Sequence, residues 1–350
     1  MTHVGKVLAM RLALAAARRG LRGANPLVGA VILSADGHHL VTGWHRGAGT
    51  PHAEAHAIAQ ARSAGIDLTG ARMLVTLEPC NHTGRTGPCA HAIAQAGISE
   101  VIYASSDTTD LAAGGGDYLR SQGITVGSGL LAEESFALNR RWFQAQVAGR
   151  PFVTAKIASS LDGFIAAGDG TSQWITGPEA RQDGHTLRSR VDAIAVGTAT
   201  VASDNPQLTA RAQGRLSERQ PLRVVIGRSS LPDASYLQSA VAAGQALHYR
   251  RRELTEVFSD LYRQGVRHLM IEGGPTLLTA CMAQDLVDEL YWYRAPLLLG
   301  AGKPALGELG IDTLSRAARW ELDDLGMSPA LRQLGVDTAT HLVPSSQTPH

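Results

Sequence analysis

Three side chains in the first ninety positions could hold a metal ion. His52 opens the run His52-Ala53-Glu54, Cys80 follows Pro79, and Cys89 follows Pro88. One imidazole and two thiolates form a ligand set for zinc that leaves the fourth tetrahedral position to water. The same donors suit zinc better than magnesium or calcium. Zinc lowers the pKa of a bound water to near neutrality. Glu54, two residues from His52, is then free to move protons between that water, a ring nitrogen and leaving ammonia. This is the His-x-Glu and Pro-Cys chemistry of zinc deaminases, although eight residues rather than two separate these cysteines. Cys89 sits at an expected helix start, where the positive end of the helix favours a thiolate.

Blander readings compete. An isolated histidine and two scattered cysteines usually pack, but here the ligand types, the neighbouring Glu and the Pro-Cys context occur together. His52 and His56 have zincin spacing, yet that motif needs Glu directly after the first His, and Ala53 stands there. A closed structural zinc site would need a fourth ligand, and no convincing one is found. Cys281, within an apolar helical stretch, reads as a packing residue.

The second half offers different chemistry. In IEGGPTLL, Glu272 ends a strand, Gly273-Gly274 make a turn and Pro275 starts a helix. Glycines at such a turn let phosphate oxygens approach the N–H groups of a helix N-terminus. No GxGxxG follows the first strand of this half, so a dinucleotide-binding Rossmann assignment has no fingerprint. Gly114-Gly115-Gly116 reads as a loop.

These groups need elements to place them. The first 147 residues alternate a helix near 5–19, the strand LVGAVIL, an Asp36-Gly37 hairpin turn, and a second strand leading to His45. A helix from Pro51, the strand MLVTL, a helix from about Pro88 to Gly97, the strand EVIYA and a helix near 131–147 follow. Ala148-Gly149-Arg150-Pro151 reads as a boundary, because Gly and X-Pro stop a helix. Beyond it come FVTAKIASS, a helix near 178–190, DAIAVG, RVVIG, HLMIEG, a helix after Gly274 and DELYWYRA. Alternating strands and helices give an α/β layer fold in each half.

Composition narrows the partners. The 350 residues suit two domains. With 32 basic and 31 acidic residues and 5% aromatics, the chain lacks the charge and the stacking platforms of a nucleic-acid binder. No apolar stretch reaches the ~18 residues of a membrane span. The N-terminus reads as an amphipathic helix rather than a signal peptide, so a cytoplasmic protein is expected, with no nucleic-acid or membrane partner.

The motifs PHAE and LEPCNHTGRTGPC, with ANPLVGAVI, GWHRGAG and AGISEVIYASSD, resemble the deaminase half of the bifunctional riboflavin biosynthesis enzymes. KIASSLDGFIA, TSQWITG, ARQDGHTLRSRVDAIAVGTATV, SDNPQLTAR, EGGPTLL and LVDELYWYRAPLLLG resemble the reductase half. The resemblance implies a cytidine-deaminase-like three-layer domain over 1–147 and a dihydrofolate-reductase-like α/β domain over 151–343, and the Ser-Gln-Thr-Pro composition of the tail over 344–350 reads as disordered. It implies zinc-dependent deamination of a diaminopyrimidinone ribosylamino phosphate, then NADPH-dependent reduction of the ribosyl group to ribityl. The imine form of the opened sugar would accept hydride at C1. It implies His52, Cys80 and Cys89 as zinc ligands and Glu54 as the catalytic residue. Asn25, His45 and His82 would contact the deaminase substrate, with Arg85 as a further candidate. Ala158, Trp174, Thr200, Asp204, Gly274, Pro275 and Thr276 would line the NADPH site. Lys156, Ser172, Arg188, Leu208, Arg211 and Glu272 would meet the reductase substrate, with Arg188 and Arg211 in forked contact with phosphate. A homo-oligomer is also expected.

Some positions depart from the family pattern. Ala24 and Gly87 replace usual prolines, and Asp107-Thr108-Thr109-Asp110 replaces an Asp-Pro-Asn-Pro turn. Gly227 stands where an Asp usually ends a strand, which puts nucleotide affinity in question. The alternative function is a deaminase carrying a non-functional reductase-like domain. A nucleic-acid-editing deaminase is the reading from a different class, and salt-sensitive oligonucleotide binding would revive it.

Overall fold

The computed structural model describes residues 3–82, 87–106, 114–212, 214–323 and 329–345. Arg85, the Asp107–Asp110 turn and the tail from 346 lie outside the described residues. The chain divides into two compact units, Met1–Val147 and Ala148–His350.

The first unit contains α1 (His3–Ala17), β1 (Gly29–Leu33), β2 (His39–Trp44), α2 (Ala53–Ser63), β3 (Arg72–Leu77), α3 (Cys89–Gln95), β4 (Glu100–Ser105), α4 (Gly115–Ser121), β5 (Thr125–Ser128) and α5 (Ala132–Ala148). Its sheet runs β2-β1-β3-β4-β5. The β1–β2 and β1–β3 pairs are antiparallel, whereas β3–β4 and β4–β5 are parallel. Side chains alternate across the strands. Ala30, Ile32, Met73, Val75 and Val101 pack with Ala57 and Ile58 of α2 and Ile93 of α3. Val31, Leu33, Leu74 and Ile102 pack on the other face with Ala9, Met10 and Ala13 of α1. Burial on both faces explains why these strands read as continuous apolar runs.

Two local results differ from the sequence expectation. The helix expected from Pro51 begins at Ala53, and His52 is its N-cap in extended backbone. The three glycines expected in a loop instead cap and open α4: Gly114 is the N-cap, and Gly115 and Gly116 are its first residues. A Cβ on Gly115 would lie 1.7 Å from the Pro79 carbonyl oxygen. Only glycine lets this helix start close against the corner that carries Cys80.

The second unit contains β6 (Phe152–Ser160), β7 (Phe164–Ala167), α6 (Pro178–Arg188), β8 (Ala193–Gly197), α7 (Thr198–Asp204), β9 (Arg211–Ala212), β10 (Arg215–Leu216), β11 (Leu222–Ile226), α8 (Tyr236–Ala242), β12 (Ala246–Tyr249), α9 (Leu254–Arg263), β13 (His268–Glu272), α10 (Pro275–Met282), β14 (Glu289–Ala295), β15 (Gly302–Pro304), β16 (Trp320–Leu322), β17 (Leu331–Leu334) and β18 (Asp337–Pro344). The main sheet runs β12-β11-β8-β13-β6-β14-β18-β16, and β17 also pairs with β18. The first six strands are mutually parallel, and β18 is antiparallel to β14. Val257, Phe258 and Leu261 of α9 and Leu277, Leu278 and Cys281 of α10 cover one face. Ala180 and Leu187 of α6, Val201 and Leu237 cover the other, against Met270, Tyr291 and Tyr293. Parallel strands point their carboxyl ends the same way, and ligands of open α/β sheets bind at that end.

Candidate active sites

His52 precedes α2, Cys80 follows β3 and Cys89 opens α3, so three elements bring the donors together. His52 Nδ1 lies 3.5 Å from Cys80 Sγ and 3.4 Å from Cys89 Sγ. All three donor atoms lie within 4.8 Å of one another. Zinc bonds of about 2.3 Å to sulfur and 2.0–2.1 Å to nitrogen place tetrahedral N and S donors about 3.6 Å apart. The donor set therefore fits one zinc ion. The Cys89 N–H also points at Cys80 Sγ, 3.5 Å away, which favours a thiolate there. The hydrogen bond from the Cys89 thiol, with His52 adding, holds the Cys80 thiol below its ordinary value.

Glu54 is buried and lines the same pocket, of about 270 Å³, as His52 and Cys80. Burial, with the Cys80 sulfur adding, pushes its carboxyl up to about 7. Asn25, His45 and His82 line that pocket too. His45 is buried, which holds its pKa low. Its Nδ1–H donates to the Pro51 carbonyl at 3.0 Å, so its Nε2 accepts from Asn25 Nδ2 at 3.0 Å. The extended backbone before Ala53 thus serves two purposes: it turns the Pro51 carbonyl toward His45 and aims His52 at the sulfurs. Buried His82 Nδ1 has no hydrogen-bond partner among the described residues. Glu78, Trp142 and Gln146, which sequence reasoning missed, complete the lining. Glu78 Oε1 accepts the Gly116 N–H at 3.0 Å, tying α4 to the Cys80 corner.

Among the described residues a second group of metal-competent side chains, Glu289, Asp323 and His341, lies in the second unit. There His341 Nε2 is 2.9 Å from Glu289 and Nδ1 is 3.4 Å from Asp323. Both ring nitrogens face carboxylates on opposite sides, so this is a hydrogen-bonded bridge between strands.

The carboxyl ends of β6, β8 and β13 open into a larger cavity of about 750 Å³. Lys156, Ala158, Ser172, Arg188, Thr200, Asp204, Leu208, Glu272, Gly274 and Pro275 line it. Trp174, Arg211 and Thr276 do not. Trp174 is exposed with Arg181 stacked over its ring at 4.6 Å, Arg211 reaches toward Gln207 and Thr209, and Thr276 is exposed.

Arg188, expected to fork onto phosphate, lines the cavity and pairs there with Glu272. Arg188 Nε and Nη2 donate to the two Glu272 oxygens at 2.7 and 2.8 Å, and Nη1 donates to the Thr209 carbonyl at 3.1 Å. Lys156 Nζ donates to Glu272 at 3.3 Å. The fork is thus engaged by a carboxylate of matching geometry. Burial raises the Glu272 pKa, but the two cations outweigh it and hold the carboxyl well below the usual range. Gly227 lies outside the cavity lining. Its φ is +143°, and a Cβ there would sit 2.9 Å from Thr198 Oγ1. The backbone has therefore taken a conformation that an Asp at this position would strain.

Residues 6–105 match the cytidine and deoxycytidylate deaminase zinc-binding region, and residues 151–328 match the RibD C-terminal domain. The chain is similar to the riboflavin biosynthesis protein RibD of Mycobacterium tuberculosis strain H37Rv, with 41% identity over 86% of this chain and 87% of that one. It is 35% identical to the RibD of Escherichia coli K12 over 91% and 93% of the two chains. Among solved structures, Acinetobacter baumannii RibD superposes with a TM-score of 0.87 at 32% identity, covering 98% of this chain and 99% of that one.

Proposed function

This chain belongs to the RibD family of bifunctional riboflavin biosynthesis enzymes, and from that premise we propose how its residues divide the work. The enzyme deaminates 2,5-diamino-6-(5-phosphoribosylamino)pyrimidin-4-one and then reduces the ribosyl group to ribityl phosphate, with zinc and NADPH as cofactors. The first unit carries the deamination, and the second carries the reduction.

His52, Cys80 and Cys89 would hold zinc, which when bound would supply a water acidic enough to react near neutral pH. As the water oxygen bonds to C2, Glu54 would take its proton and pass it to the ring nitrogen. Once the oxygen is bonded to C2, Glu54 would take the proton from that hydroxyl and pass it to the amino nitrogen, so that the C2–N bond breaks, ammonia leaves and the C2 carbonyl forms. A carboxyl raised by burial suits a group that must both take and give a proton near pH 7. Asn25, held by His45, and His82 orient the pyrimidine ring.

In the second unit NADPH supplies hydride to C1 of the opened sugar. Ala158, Thr200, Asp204 and the Gly274–Pro275 turn bind the cofactor, while Trp174 and Thr276 border its outer part. Ser172, Leu208, Lys156, Glu272 and Arg188 face the substrate. Arg188 and Lys156 neutralise Glu272, and Arg211 is left to meet the ribose phosphate. The proposal extends to a cytoplasmic homo-oligomer that engages neither nucleic acid nor membrane. Among the described residues no helix is long and apolar enough to cross a membrane.

The observation that carries this reading is the meeting of His52 Nδ1 with both cysteine sulfurs beside a buried carboxyl. Product mass from the pyrimidinone substrate, with and without NADPH, tests it. Deaminated product without NADPH and deaminated ribityl product with it are expected. No change in either tube from zinc-loaded protein would overturn it.

A further inference from the structure

The pocket of the first unit has a wall that the zinc motif does not contain. Ser135, Asn139 and Trp142 of α5 are four and three residues apart, so they share one face of the helix. Ser135 and Asn139 are buried. Polar side chains inside a helix interface need partners, and here each finds one on the pocket framework. Ser135 Oγ donates to the Thr76 carbonyl at 2.5 Å, and Thr76 Oγ1 in turn accepts the Gly29 N–H at 3.1 Å. Asn139 matches a single peptide unit pair at Leu27: Oδ1 accepts its N–H at 2.8 Å, and Nδ2 donates to its carbonyl at 2.9 Å. Trp142 Nε1 donates to the Ala24 carbonyl at 3.0 Å.

The two residues so held, Ala24 and Leu27, bracket Asn25. Residues 24–28 form neither helix nor strand, so no ladder fixes them. The chain rejoins regular structure through Val28, whose carbonyl accepts the His45 N–H at 2.9 Å. Asn25 then meets the His45 ring. The path from α5 to the pocket thus runs through the backbone on both sides of Asn25. The Trp142 ring lines the same pocket.

We propose that Asn139 and Trp142 are positioning residues for deamination, acting on the substrate through Asn25. This rests on the reading of the first pocket as the deaminase site. A substrate-orienting amide displaced by even 1 Å loses much of its effect, so the influence falls on substrate binding and leaves zinc in place.

The test uses the full chain loaded with zinc. Steady-state deamination is measured for wild type, Trp142→Phe, Asn25→Ala, the double variant and Asn139→Ala. Zinc content and reduction of deaminated substrate are measured in parallel. Trp142→Phe keeps an aromatic ring at the position while removing the donor and trimming the indole, so its KM is expected to rise about 3- to 10-fold with kcat within about twofold. In the Asn25→Ala background the same change should add less than about 1.5-fold, because Trp142 then has nothing left to position. Asn139→Ala should raise KM further. Should that variant not fold, Trp142→Phe carries the test alone. An unchanged KM in Trp142→Phe overturns the proposal. So does an equal rise with and without Asn25, which would make Trp142 a direct contact or a general stabiliser. A wild-type chain that reduces but does not deaminate would sink the reading beneath the proposal, and the proposal with it.

Discussion

Replacing Glu272 by Gln tests the electrostatics of the second cavity. The change removes one negative charge from between two cations and leaves the shape almost unchanged. Arg188 contacts the carboxylate at 2.7 and 2.8 Å, and Lys156 contacts it at 3.3 Å. Side-chain exposure is 12% for Glu272, 20% for Arg188 and 18% for Lys156, so solvent screens the cluster little. At an effective dielectric of about 20, one contact at this distance is worth about 6 kcal/mol of attraction. Burial of the charges takes back much of that in wild type. In the variant two cations stay buried without their partner, a situation that costs about 3–5 kcal/mol.

For a unit of this size 1 kcal/mol moves the midpoint by about 2–4 °C. Using the lower end, about 3 kcal/mol, the variant should melt about 6–12 °C below wild type. The sign with pH follows from the carboxyl's lowered pKa. A group that titrates lower when folded contributes fully above its unfolded pKa, and loses that contribution as pH falls through the folded value. The gap should therefore be widest near neutral pH and narrow below about pH 4.5. Calorimetry of the full chain at about pH 7.5 and about pH 4 reads both effects, following the transition that a zinc chelator does not move. A shift under about 2 °C at neutral pH would refute the reasoning. A gap that widened on acidification would refute it equally.

Three further outcomes are expected. Glu54→Gln should retain zinc, measured by metal analysis, and lose deamination by about 10²–10⁴-fold, while reduction of deaminated substrate persists. Cys80→Ser or a strong chelator should strip zinc and abolish deamination, and it should lower the melting point of the first unit, because metal binding stabilises only the folded state. Gly115→Ala should force α4 away from the Pro79 carbonyl and reduce zinc retention on dilution into chelator. Retention equal to wild type would show that the α4 contact does not support the Cys80 corner.

The meeting of His52 with Cys80 and Cys89 was legible because metal-binding chemistry is written in residue type. Few functions other than metal binding place His-x-Glu near two Pro-Cys pairs, and the connecting strands and helices carry strong hydrophobic periodicity. The start of α2 was read two residues early, since Pro51 signals a helix turn while His45 needs its carbonyl outside one. The triple glycine was read as a loop because glycine is a poor helix former. Here it is required by the 1.7 Å approach that any Cβ would make. Ser135 and Asn139 on α5 look in sequence like a solvent-facing stripe, and nothing local says that their partners lie over fifty residues away. The resemblance put Arg188 and Arg211 at the substrate, and guanidinium chemistry suggested a fork onto phosphate. Sequence cannot reveal that strand pairing sets Glu272 beside Lys156 and that Arg188 pairs with the same carboxylate.

The match to a deaminase zinc-binding region stops at residue 105, yet Trp142 and Gln146 complete the pocket from α5. Similarity in sequence and the catalytic module therefore have different borders. A protein-engineering effort that cut the chain where the familiar motif ends would keep His52, Cys80 and Cys89 and lose the α5 side chains that line the pocket beside them. Any gene rearrangement that moves this deaminase elsewhere must carry the stretch to residue 147 with it. The last helix before the boundary thus lines the candidate deaminase pocket and is more than a spacer between two units.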